Sequence, residues 1–96
     1  MKVRLDEKEI TIIKEIIKKY DPDAKILIFG SRADLSKKGG DIDILVISQK
    51  IDYKTKRNIR VELILALGER KIDIVFTDDV EKTEFIKYAY ETGVEI

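Results

Sequence analysis

Apolar residues recur along this chain in two distinct rhythms, one helical and one extended. Ile10, Ile13, Ile16, Ile17 and Tyr20 recur at helical spacing, and Asp6 followed by Glu9 has the spacing of a capping box, so the first element is an amphipathic helix. Asp21-Pro22-Asp23 ends it, because proline cannot continue the backbone ladder and restricts the residue before it. Lys25 to Phe29 holds a run too short for a helix and rich in strand formers, and reads as a buried strand. Gly30-Ser31 closes it, a short helical turn fits Arg32 to Lys38, and Gly39-Gly40 frees the backbone to turn back. From Asp41 to Ser48 a second strand puts Asp41, Asp43, Leu45 and Ile47 on one face and Ile42, Ile44 and Val46 on the other.

The second half repeats the alternation. Asp52 caps a helix through Leu67, with Ile59, Leu63, Ile64 and Leu67 as its expected buried stripe and Gly68 as a left-handed stop. Lys71 to Thr77 reads as a third strand, with Ile72, Ile74 and Phe76 on one face and Asp73 and Val75 on the other. Asp78 and Glu81 have capping-box spacing, which predicts a last helix to about Thr92 with Phe85, Ile86, Ala89 and Tyr90 inward, before Gly93. The order predicts an α/β or α+β domain, a small mixed sheet of about three strands covered by helices, spanning residues 1–96 as one unit.

Composition narrows the chemistry. With 19 Lys and Arg against 19 Asp and Glu, the formal net charge is zero, so no general basic field holds a polyanion and nucleic-acid binding is disfavoured. The absence of cysteine and histidine removes disulfides, thiolate zinc sites and the commonest general base. Catalysis would have to run on carboxylates, hydroxyls, Lys or Arg. No stretch reads as a signal peptide or approaches the roughly 20 apolar residues of a membrane span, so the expectation is a soluble cytoplasmic protein. A chain of 96 residues buries a modest share of its surface, which makes self-association or a partner chain an expectation too.

Each of the three strands carries a polar feature out of keeping with its apolar run: Gly30-Ser31 after the first, Asp41 and Asp43 opening the second, Asp73 within the third. A carboxylate in such a setting needs a cation or a proton. Asp41 and Asp43 leave the same sheet face with Cα atoms roughly 6 to 7 Å apart, so both can close on one or two ions. An all-oxygen donor set suits Mg²⁺ or Mn²⁺, and Mg²⁺ is usually held by one or two carboxylates with substrate phosphates, which implies a nucleoside triphosphate. Gly30 lets the backbone approach a phosphate and the Ser31 hydroxyl can donate to it, while Arg32 is either a further phosphate ligand or a solvated charge.

Phe29-Gly30-Ser31-Arg32, with nine residues between Ser31 and Asp41-Ile42-Asp43, resembles the Gly-Ser…Asp-x-Asp signature of the polymerase-beta-like nucleotidyltransferases, in particular the minimal nucleotidyltransferases (MNT). Ile72-Asp73-Ile74-Val75 resembles the later strand that supplies their third carboxylate, and Tyr90-Glu91-Thr92-Gly93-Val94 their Gly-Val ending. The chain departs from the pattern in having nine residues before Asp41 where ten are frequent, Gly40 where Ser is frequent, and Asp34-Leu35 where Arg-Gly is frequent. The resemblance implies that Asp41 and Asp43 hold two Mg²⁺ ions, that Asp73 completes one metal site, and that Gly30 and Ser31 bind the triphosphate of ATP. It also implies transfer of AMP to a hydroxyl and a hetero-oligomer with a HEPN-family ribonuclease toxin, the chain acting as antitoxin by modifying a toxin tyrosine. With no histidine, Asp73 is the expected proton acceptor. A non-catalytic antitoxin that only covers its partner, a small-molecule nucleotidyltransferase and a nucleic-acid module are the alternatives.

Overall fold

The computed structural model describes residues 7–30, 42–68 and 71–96. Among these residues, three helices and four strands follow in the order α1 (Glu7–Tyr20), β1 (Lys25–Phe29), β2 (Ile42–Ile47), α2 (Tyr53–Leu67), β3 (Ile72–Thr77), α3 (Glu84–Thr92) and β4 (Val94–Glu95). The strands form one mixed sheet in the order β3-β2-β1-β4. β1 runs antiparallel to β2 and to β4, whereas β2 and β3 are parallel, because α2 carries the chain back across the sheet between them. The fold is the small α+β architecture that the alternation of periods implies, with one strand more than expected.

Period-2 alternation divides the core. On one face Ile26, Ile28, Ile42, Ile44, Val46 and Ile74 pack with Ile13 and Ile17 of α1 and Ile59 and Leu63 of α2. On the other, Leu27, Phe29 and Leu45 pack under Ala89 of α3. Burial of each large aliphatic side chain contributes roughly 2 kcal/mol, so the two-helix face is the main source of stability. Between helices, Glu62 accepts hydrogen bonds from Lys19 Nζ and the Tyr20 hydroxyl, which ties α2 to the end of α1.

Two expected core positions are instead half-exposed: Ile64 at 53% and Phe85 at 53%. Ile59 and Leu63 already fill the contact of α2 with α1 and the sheet, and Ile64, about 100° further round the helix, turns past it. The last helix also starts later than its spacing suggests. Thr77 Oγ1 donates to the Asp79 carbonyl at 2.7 Å, and Asp79 Oδ1 accepts from Glu81 N at 2.9 Å, so local side-chain bonds hold this stretch in turns. Thr83 becomes the cap, accepting from Ile86 N at 3.1 Å. Gly68 has a positive φ of 77° as expected of a helix stop, though its ψ of −142° lies outside the left-handed helical region. Gly93 lets β4 reach β1: a Cβ there would lie 2.7 Å from the Ala89 carbonyl oxygen.

Asp21, read from the sequence only as a helix breaker, is 1% exposed and joins α1 to the far end of β2. Its carboxylate accepts from the Ser48 hydroxyl and, at 3.0 Å, from Asp23 N, with Lys50 Nζ 4.0 Å away. The Ser48 bond leads in lowering its pKa; the Asp23 N–H and the Lys50 charge add to this, against the opposing effect of burial. A carboxylate depressed in the folded state stabilises fully above its unfolded pKa of about 3.9, and that stability is lost as pH falls through the lower folded value. Asp21→Asn is therefore expected to flatten the fall of the melting temperature below about pH 4; an acid limb as steep as wild type would remove Asp21 from that role.

Among the described residues, no helix is long and apolar enough to cross a membrane.

Candidate active site

The residues that matter meet at one end of the sheet. Antiparallel pairing sets Phe29 opposite Asp43, and parallel pairing sets Asp43 opposite Asp73. Directly paired residues share a face, so Phe29, Asp43 and Asp73 form a row across three strands on the α3 side. Adjacent strands lie about 4.8 Å apart, which brings the half-buried Asp43 and the exposed Asp73 side by side. Like charges in this position repel, and a cation between them relieves the repulsion.

Gly30 completes the row. It follows Phe29 directly, has φ of 72°, and a Cβ at this position would fall 2.3 Å from Asp43 Oδ2. Two separate constraints thus call for glycine: the backbone conformation and the room needed by the carboxylate. The sequence points to Gly30 as a phosphate approach; in the fold the group that a side chain there would meet is the Asp43 carboxylate.

The other expected site residues, Ser31, Arg32 and Asp41, lie outside the described residues, as does the helical turn expected over Arg32 to Lys38. Among the described residues Asp43 and Asp73 are a pair, with no third acidic, histidine or cysteine side chain gathered on them. Two hard oxygen donors fit a divalent cation such as Mg²⁺ that keeps waters and phosphate oxygens as its other ligands.

Phe85 borders this end, a position that the sequence pattern does not reveal. Its ring meets Phe29 edge-on, with centroids 5.8 Å apart, and remains half-exposed beside the carboxylate row. Helical spacing put it in the core; only the late start of α3 shows that Ile86 and Ala89 fill the core instead. A cavity of about 170 Å³ lies at the opposite end of β2 and β3, between Ser48, Thr77, Lys56 and Lys82. Ser48 lies five residues beyond Asp43 and Thr77 four beyond Asp73, so this cavity is separate from the carboxylate row.

The family model described as polymerase beta, nucleotidyltransferase matches residues 11–96. The chain belongs to the polymerase beta nucleotidyltransferase family. No curated protein matches it. The match spans every strand and the whole carboxylate row, so a nucleotidyltransferase domain and a nucleotidyltransferase-like function follow from it. Proteins of this family generally use a nucleoside triphosphate and a divalent metal, which agrees with the oxygen-only donors of the row.

Proposed function

We propose that this nucleotidyltransferase domain transfers AMP from ATP to a hydroxyl, and that the acceptor is a tyrosine of a HEPN-family ribonuclease toxin with which the chain pairs as an MNT-type antitoxin. The observation that carries the transfer reading is the direct pairing of Asp43 with Asp73 on one face, with Gly30 packed against Asp43. The partner rests on the resemblance of the Gly-Ser…Asp-x-Asp spacing to that of the minimal nucleotidyltransferases.

Asp43 and Asp73, with Asp41 by resemblance, are the residues that would hold Mg²⁺. When bound, that ion neutralises the triphosphate and lowers the pKa of the acceptor hydroxyl. Gly30 and Ser31 are assigned to the triphosphate, and Arg32 to the same phosphates. Asp73, exposed at the sheet edge, takes the proton from the acceptor hydroxyl. The acceptor oxygen attacks the α-phosphorus in line, an O–P bond forms, the bond to the bridging oxygen breaks, and pyrophosphate leaves. Half-exposed Phe85 offers an aromatic surface beside the row on which a base can stack.

Co-expression tests this reading. Cells producing the toxin with the wild-type chain should grow and contain toxin heavier by one AMP. With Asp73→Asn the complex should still form, but the toxin mass should stay unmodified and growth should fail. Full rescue by Asp73→Asn with unmodified toxin would leave the chain as an antitoxin that acts by covering its partner.

A further inference from the structure

Among the described residues, the carboxylate row ends on an edge strand. β3 is an edge of the sheet, and its pairing uses only one side of the backbone. Lys71 O accepts from Ile42 N at 2.9 Å and Thr77 O from Ser48 N at 2.9 Å, so the odd-numbered residues face β2. Residues in a strand alternate, so the N–H and C=O groups of Ile72, Ile74 and Phe76 point away from the sheet. Among the described residues no backbone group pairs with them. The Ile74 carbonyl alone is approached, by Arg60 Nη2 at 3.4 Å, a long contact. A row of unpaired strand groups is a template for a further strand.

α2 forms a wall beside this edge. Arg60 and Lys56 both reach over the Phe76 ring, at 5.5 and 5.7 Å from its centroid, which fixes the flank of α2 that borders β3. Arg57 and the half-exposed Ile64 lie on the same flank, one turn either side of Arg60. Four cations, Lys54, Lys56, Arg57 and Arg60, fall in the first half of α2, whose first turn holds no acidic residue. The positive end of the helix dipole opposes that placement. Arg57 and Arg60 have no carboxylate partner among the described residues.

We propose that the open edge of β3, with the basic and apolar flank of α2 above it, is the docking groove for an extended acidic segment of the acceptor polypeptide, which adds as a fifth strand beside Asp73. This rests on the reading of a polypeptide acceptor given above. An added strand lies about 4.8 Å from β3, and its alternate side chains divide between the faces. Those on the α2 face meet Ile64, Arg57 and Arg60, which select carboxylates and aliphatic groups. Those on the other face stand in the row of Asp43 and Asp73, where a hydroxyl meets the carboxylates. A second copy of the chain fits poorly, because antiparallel pairing of two β3 strands about Ile74 brings two Arg60 side chains to one point.

The probe is a capped nine-residue acidic peptide with Glu and Val on one alternate set of positions and a single central Tyr on the other, titrated into the isotope-labelled full chain. The largest amide shifts are expected at Ile72, Ile74 and Phe76. Methylating alternate peptide nitrogens should abolish binding in one register and spare it in the other, and Arg60→Glu should weaken binding tenfold or more. Asp43→Asn should bind the peptide as wild type does, which separates docking from chemistry. With Mg²⁺ and ATP the wild-type chain should place AMP on the peptide tyrosine. Edge binding without transfer supports the groove and counts against the transfer reading. Equal binding by both methylated peptides, shifts centred elsewhere, or edge shifts caused by self-association without peptide would each overturn the proposal.

Discussion

Asp43→Asn is expected to lower nucleotide transfer by roughly a thousandfold, or about 4 kcal/mol of transition-state stabilisation, while the fold persists. Asparagine keeps the size of the side chain but removes the negative charge that a divalent cation needs, and no histidine or cysteine exists to substitute. Asp73→Asn should have a comparable effect on transfer. Because Asp73 is exposed and opposes another carboxylate, its replacement should leave stability unchanged or raise it by roughly 0.5 kcal/mol. Pyrophosphate release in the presence of the proposed toxin partner and urea unfolding of both variants measure the two effects separately. Transfer by Asp43→Asn at the wild-type rate would remove the carboxylate row from the chemistry.

Gly30→Ala should impair both stability and transfer, for different reasons. Holding a side chain at φ of 72° costs roughly 1–2 kcal/mol, and the new Cβ, 2.3 Å from Asp43 Oδ2, must displace that carboxylate. A shift of about 1 Å in a positioned group can lower a rate about a hundredfold, so transfer should fall by that order. Gly68 supplies the control, since it has φ of 77° but nothing within 4 Å of an added Cβ. Gly68→Ala should therefore show the backbone penalty in urea unfolding with transfer unchanged. Equal activity losses in the two variants would trace the effect of Gly30 to backbone strain alone and free Asp43 from the argument.

Much of this molecule is legible in its sequence. Isoleucine at helical spacing marks α1, the alternating run from Ile42 to Ile47 marks β2, and Gly30 and Asp73 break apolar runs where a strand would not carry them by preference. These signals are local, because helix and strand periods and the cost of a carboxylate in an apolar run act over a few residues. That Asp43 and Asp73 face each other was not legible. Their 30-residue separation is closed only by the parallel register of β2 and β3, which the α2 crossover sets. The same holds for Gly30 against Asp43, for Ile64 and Phe85 turning outward, and for β4 pairing with β1. Sequence by itself determined α1, α2, β1, β2 and β3 and the residue types available for chemistry, but not β4 or the late start of α3. Which of those residues stand together, and which strand lies at the sheet edge beside them among the described residues, was decided by strand pairing and helix packing between segments far apart in the chain, whose energies depend on the assembled core.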